Sequence, residues 1–259
     1  MMTRLSPNQS WRIALLLSFC ALSCSVRAQL IACNSTTGNS AYKIFVDDVK
    51  SLSNTPASPA LARKMGGLRD FIVENLRTMS KGRASVMPCL GRFPGDASAF
   101  TDDEFGSLDN LRVLLEVWGA VEDSAGGRGA LGFVLVPARQ LAPPAVFVFR
   151  RASADFLSQA KQGAKLEVFT PIALGILDYQ NLKYEDAIPN LCVGVNKLAD
   201  VANSADANSD QQTIADQNKL LTELRRIVND AITKARSDPN SRYRLLKAAP
   251  GNVFLCPVA

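Results

Sequence analysis

Residues 111–121 read Leu111-Arg112-Val113-Leu114-Leu115-Glu116-Val117-Trp118-Gly119-Ala120-Val121. Successive side chains of a strand point to opposite faces. Val113, Leu115 and Val117 therefore share one face, and Arg112, Leu114, Glu116 and Trp118 share the other. The turn sequence Asp123-Ser124-Ala125-Gly126-Gly127 leads into Leu131-Gly132-Phe133-Val134-Leu135-Val136, and Pro143-Pro144 introduces Val146-Phe147-Val148-Phe149-Arg150. Both connections are too short for a crossover helix, so these three strands are expected to run antiparallel.

Upstream, Tyr42 to Val49 reads as a first strand, followed by the Ser- and Pro-rich loop Ser51 to Pro59. Leu61, Met65, Leu68, Ile72, Leu76 and Met79 then recur at three- and four-residue steps, the period of an amphipathic helix of about five turns. Ala84 to Cys89 forms a short strand whose Pro88 suits a sheet edge. Thr101 followed by Asp102, Asp103 and Glu104 suits a helix N-terminus. The order is β-α-β-α-β-β-β, a small mixed α/β (α+β) sheet with one long helix on a face.

From about Ser153 the pattern becomes helical. Tyr184, Ala187, Ile188, Leu191, Val195 and Leu198 mark one helix; Ile214, Leu221, Leu224, Val228, Ala231 and Ala235 mark a longer one. Lys219, Glu223, Arg225, Arg226 and Asp230 form the solvated face of the second. The expected division is a signal segment over 1–28, an α/β domain over 29–152 and an all-α domain over 153–259.

With 259 residues, 47% hydrophobic and 20% charged, the chain can bury a core, which excludes disorder and collagen. It has no histidine, which removes Ser-His-Asp and Cys-His nucleophiles and His-ligated zinc. Arg4 and Arg12 precede the apolar run Ile13 to Leu22, and Val26-Arg27-Ala28 suits cleavage after Ala28. Ala21-Leu22-Ser23-Cys24 resembles a lipobox, so the alternative to a periplasmic or secreted protein is a membrane-anchored lipoprotein lipidated at Cys24. No later segment reaches eighteen uninterrupted apolar residues, so no spanning helix is expected.

The first 28 residues hold three arginines and no acid, so their removal lowers the net charge from +5 to +2. That balance gives no electrostatic case for nucleic acid. Cys33, Cys89, Cys192 and Cys256 remain, an even number in a chain sent to an oxidising compartment. Four cysteines allow three pairings; Cys33–Cys89 and Cys192–Cys256 place one bridge in each half. No cofactor or metal is expected. Asn34-Ser35-Thr36 is a glycosylation sequon that has meaning in a eukaryotic host.

Leu174-Gly175, Tyr179, Tyr184-Glu185-Asp186-Ala187-Ile188 and Leu191 resemble the first helix pair of a tetratricopeptide repeat. Gly194 stands where that repeat has a second small helix-crossing residue, and no second copy follows. An ordinary helical hairpin accounts for the same residues. Residues 41–150 resemble, by pattern, the small α/β domain of the TolB amino-terminal and CsgG-like envelope family, which is often followed by tetratricopeptide helices. The resemblance implies a non-catalytic envelope module that docks other proteins, and it carries no catalytic residues.

Gly127-Arg128-Gly129-Ala130-Leu131-Gly132 fits the dinucleotide fingerprint, but a strand rather than a helix is expected after it, so it reads as a hairpin loop. Ser40-Ala41-Tyr42-Lys43 and Ser158-Gln159-Ala160-Lys161 match Ser-x-x-Lys without the downstream Lys-Thr-Gly that the chemistry needs. Asp102, Asp103 and Glu104 could act as paired carboxylates, but the helix dipole explains them better. Glu116 and Trp118 are candidate binding residues, with Arg139, Arg150 or Arg151 as a cross-strand ion-pair partner for Glu116. A carboxylate of raised pKa in a pocket is the minority interpretation of Glu116. Gly91-Arg92-Phe93-Pro94-Gly95 could present Arg92 and Phe93 as a recognition loop, although a plain turn explains it better. The expected function is an exported, non-enzymatic adaptor for another envelope protein. The alternative is a small-molecule or glycan binding module using the Glu116/Trp118 face or the Arg92 loop.

Overall fold

The structure, a computed structural model, describes residues 41–52, 56–89, 101–122, 128–141, 145–152, 156–203, 211–244 and 256. The expected signal segment over 1–28, with Cys24, and Cys33, Ser40, Arg92 and Phe93 lie outside the described residues.

The elements are β1 (Lys43–Ser51), α1 (Pro59–Ser80), β2 (Ser85–Cys89), α2 (Asp102–Asn110), β3 (Val113–Val121), β4 (Arg128–Leu135), a 3-10 turn (Val136–Leu141), β5 (Val146–Ala152), α3 (Gln159–Gln180), α4 (Tyr184–Asn203) and α5 (Gln211–Ser237). The strands form one mixed sheet in the order β2-β1-β3-β4-β5. β1 pairs parallel with β2 and β3, while β3, β4 and β5 are antiparallel. β2 lies at the edge with Pro88 opposite Val46, as its proline requires.

α1 begins at Pro59, whose preset φ suits a first helical turn, with the Ser58 side chain accepting from the Leu61 N–H at 3.2 Å. Its stripe of Leu61, Leu68, Ile72 and Leu76 packs with Ile44, Val46, Leu115, Val117, Leu131, Phe133, Phe147 and Phe149 of the sheet. α3 lies beside α1 and adds Phe169, whose ring stacks on Phe133 at 4.4 Å and meets Phe147 at 5.2 Å. The same hydrophobic cluster continues through Ile188 and Leu191 of α4 to Leu224 and Val228 of α5. Residues on both sides of position 152 thus share one core.

The opposite sheet face carries a smaller cluster of Phe45, Met87, Cys89, Val113, Val134 and Val136 under Phe105 and Leu108 of α2. Here the strict alternation expected for β3 fails. Lys43 pairs with Val113 but Ile44 pairs with Leu115, so Leu114 is an extra residue in its strand. Val113 therefore joins the smaller cluster and Leu114 the larger, the reverse of the expected assignment.

The stretch expected to form a hairpin loop belongs to β4 from Arg128 onward. Its glycines make room for side chains, not for a pyrophosphate. A Cβ on Gly132 would lie 1.9 Å from Trp118 Cε2, so the indole lies directly over the β4 backbone. The 3-10 turn was not anticipated. In the helical half, a Cβ on Gly175 would lie 2.9 Å from the Leu191 backbone nitrogen, which marks a close crossing of α3 and α4. Cys192 and Cys256 are bridged with Cα atoms 5.4 Å apart, as expected. Cys89 is also disulfide-bonded, and its partner lies outside the described residues.

Candidate functional site

Glu116 and Trp118 occupy the same sheet face, and each is 1% exposed. Glu116 sits in a row with Phe45 of β1 and Val134 of β4, and Val146 of β5 continues that row. Asp47 of β1, opposite Cys89, is a second carboxylate buried on this face. Its type gave no sign of this in the sequence, because it stands beside Asp48 in the largely polar end of the strand, Asp47-Asp48-Val49-Lys50-Ser51. The pair Glu116 and Trp118 is thus brought together, but beneath the surface.

Of the arginines considered for Glu116, Arg139 is committed elsewhere. Its Nη2 lies 2.5 Å from Asp102 Oδ1, its Nη1 donates to the Asp102 carbonyl at 3.2 Å, and its guanidinium stands 4.7 Å over the Phe105 ring. Arg150 and Arg151 have backbone positions opposite Ala130 and Gly129, four to five positions along β5 from Val146. The acids of α2 serve its first turn. Thr101 and Glu104 form a capping box, with the Glu104 carboxylate accepting from Thr101 N–H at 2.8 Å. A cleft of about 240 Å³ between α2 and the 3-10 turn is lined by Phe105, Gly106, Asp109, Val136, Arg139 and Gln140.

The turn joining α3 and α4 has a different character. The Lys183 N–H donates to the Asp178 carbonyl at 2.8 Å, and the Leu182 N–H to the Tyr179 carbonyl at 3.1 Å. This pair of bonds is the Schellman arrangement, with Leu182 at the left-handed position, φ 60°. The Leu182 side chain is 71% exposed.

Three polar connections hold this turn. The Asp178 carboxylate, almost wholly buried, accepts from Arg83 of the α1–β2 turn and from Asn190 Nδ2 of α4 at 3.2 Å. The Tyr179 hydroxyl donates to Asp230 of α5, and Lys234 Nζ lies 2.8 Å from the same carboxylate. Lys234 also stands 5.1 Å from the Tyr179 ring centre and 5.3 Å from that of Tyr184. Arg242 donates through its backbone N–H to Glu185 Oε1 at 2.9 Å.

The protonation states follow from these contacts. Burial, and then the bond to Asp230, push the Tyr179 hydroxyl up from its ordinary value. Burial works to raise Asp230, but hydrogen bonds from Lys234 and Tyr179 outweigh it and hold the carboxyl below its usual range. Bonds to Asp230 and Tyr179 hold Lys234 above its usual value. The network is a neutral phenol between a fixed carboxylate and a fixed ammonium, an arrangement that holds helices together. Beside it a cleft of about 210 Å³ is lined chiefly by Leu182, Lys183, Tyr184, Asp186, Lys234 and Asp238. Sequence reasoning passed over Asp178 and Leu182; the only signal for Leu182 was a leucine where the helix must stop.

Among the described residues no cluster of three or more Cys, Asp or Glu side chains could hold a metal ion, and no helix is long and apolar enough to cross a membrane. No protein-family model matches the chain, and no curated protein matches it. Among solved structures, a substituted PelC dodecamer from Paraburkholderia phytofirmans overlaps 49% of this chain and 86% of its own at 15% identity, with a TM-score of 0.24. A likeness at that score assigns neither fold nor function.

Proposed function

We propose that the chain is an exported, non-enzymatic adaptor of the cell envelope that works by holding another protein. The observation that carries this is the α3–α4 hairpin, which turns large apolar side chains outward on a rigid mount: Leu182 is 71% exposed and Val193 of α4 is 46% exposed. The hairpin is fixed to α5 by the Tyr179–Asp230–Lys234 network and to the sheet layer by Asp178–Arg83, and α4 carries the Cys192–Cys256 bridge. A preformed surface of this kind binds without first having to order itself.

Two further points support docking of a protein over a small ligand. Glu116 and Trp118 are buried, so a ligand would have to open the sheet face to reach them. The cleft beside α2 and the cleft beside the α3–α4 turn, of about 240 and 210 Å³, are each smaller than the ~300–1,000 Å³ typical of small-molecule pockets. Export is supported by the apolar segment after Arg12 and by the disulfide, a bond that persists in oxidising compartments.

The test is affinity capture from envelope extracts using the oxidised protein, paired with thermal-shift screening against sugars, peptides and anions. A reproducible protein partner with no small-molecule shift is expected. A large shift from a sugar or anion, with no protein captured, would replace the adaptor by a ligand-binding module.

A further inference from the structure

Leu182 occupies the position after a helix end where glycine is the usual residue, because a side chain in the left-handed region crowds its own backbone. Among the described residues two other non-glycine residues have positive φ, Lys81 and Arg112, and both are cationic residues just past helix ends. There their charge suits the negative pole of the helix. Leu182 has no such compensation, and at 71% exposed it recovers almost nothing by burial. Its backbone therefore costs stability that its side chain does not return by packing.

We infer that Leu182 is the anchor of a protein-docking site, inserting into an apolar socket of a partner whose adjoining Lys or Arg enters the cleft beside the turn. The inference rests on the adaptor function and names the chemistry of its partner. Among the charged groups lining that cleft, Lys234 is committed to Asp230 and Glu185 to Arg242. Asp186, Asp238 and Lys183 remain without an ion pair among the described residues, which leaves one negative charge in excess. Among the described residues Asp238 Oδ1 accepts only the Asn240 N–H, at 2.9 Å. The half-buried Tyr184 ring beside them already has the Lys234 ammonium 5.3 Å from its centre, so the acidic pair, and not the ring, carries the attraction for an incoming cation. An apolar knob next to an acidic, aromatic recess is complementary to a segment in which an apolar residue is followed by Lys or Arg.

The first test is Leu182→Gly in the full chain. Relief of the backbone is expected to raise Tm by about 2–4 °C; a lowered Tm would show Leu182 to be a packing residue and overturn the inference. The second test titrates the blocked peptides acetyl-Leu-Arg-Leu-amide and acetyl-Leu-Glu-Leu-amide while following backbone amide NMR signals. The arginine peptide is expected to shift Lys183, Tyr184 and Asp238 at millimolar concentration, and the double variant Asp186→Asn/Asp238→Asn to weaken it at least fivefold. Equal shifts from both peptides, or none, would overturn the inference. A partner captured equally by wild type and Leu182→Gly would do so too, while leaving the adaptor function standing.

Discussion

The Glu116–Trp118 segment of β3 and the turn between α3 and α4 are opposite departures from the rule that apolar side chains go inside. One places a carboxylate and an indole where exposure is 1%; the other places a leucine where exposure is 71%. Both look unusual, yet they should answer mutation with opposite signs. A polar group kept in a packed interior belongs to the fold, and its neighbours have closed around it. A large apolar group kept outside, on a strained backbone, takes stability away and asks for a reason beyond the fold.

The largest effect is expected on the buried side. Trp118→Ala removes a ring seated over Gly132 and should destabilise the protein by about 3–5 kcal/mol in urea melts. A loss below about 1 kcal/mol would mean that the face is open, and would revive it as a binding surface. Next comes Arg83→Ala, which leaves the nearly buried Asp178 carboxylate with Asn190 as its remaining side-chain donor and should cost about 2 kcal/mol. The Arg83/Asp178 double-mutant cycle should show clear coupling, because the pair joins the α1–β2 turn to the helical half; additive effects would break that account.

Tyr179→Phe should have a smaller effect, about 1 kcal/mol, since the hydroxyl's bond to the partly exposed Asp230 and the long one it accepts from the exposed Lys234 are both lost at a site open to water. The same carboxylate sets a pH dependence. Its folded pKa is lowered, so its stabilisation is present above the unfolded value of about 4 and is lost as pH falls through the folded value. Urea midpoints of wild type and Asp230→Asn should differ at neutral pH and converge below pH ~4. A gap that stays constant down to low pH would mean that the carboxylate is not held ionised by Lys234 and Tyr179. Val193→Ser should be near neutral, within about 0.5 kcal/mol, as expected for an exposed position.

These expectations rest on features that differ in how visible they are in the chain. The five strands and the long α1 were legible because each is a local pattern: alternation, a three- and four-residue period, or a proline at an edge. The edge position of β2 and the antiparallel end of the sheet followed from Pro88 and from connection lengths. The swap of Val113 and Leu114 was not legible, because the extra residue in β3 shows only against its partner β1. Asp178 was missed for a similar reason, since it meets Arg83 across 95 positions. Glu116 stood out by breaking an apolar run, but burial decides what such a residue does, and burial is set by elements far away in sequence. Leu182 stood out least, because leucine is common and only the left-handed turn makes it costly. The pairing of Cys192 with Cys256 was readable because a tail without other docking signals needed an attachment.

The central claim is that the chain acts through the α3–α4 turn and not through the Glu116/Trp118 face. A photocrosslinking amino acid placed at position 182, with a control at the exposed Thr222 of α5, tests this directly in cells exporting the protein. A discrete adduct of one mass from position 182, absent from position 222, is the predicted result. No adduct at 182, or the same adduct pattern from both positions, would contradict it.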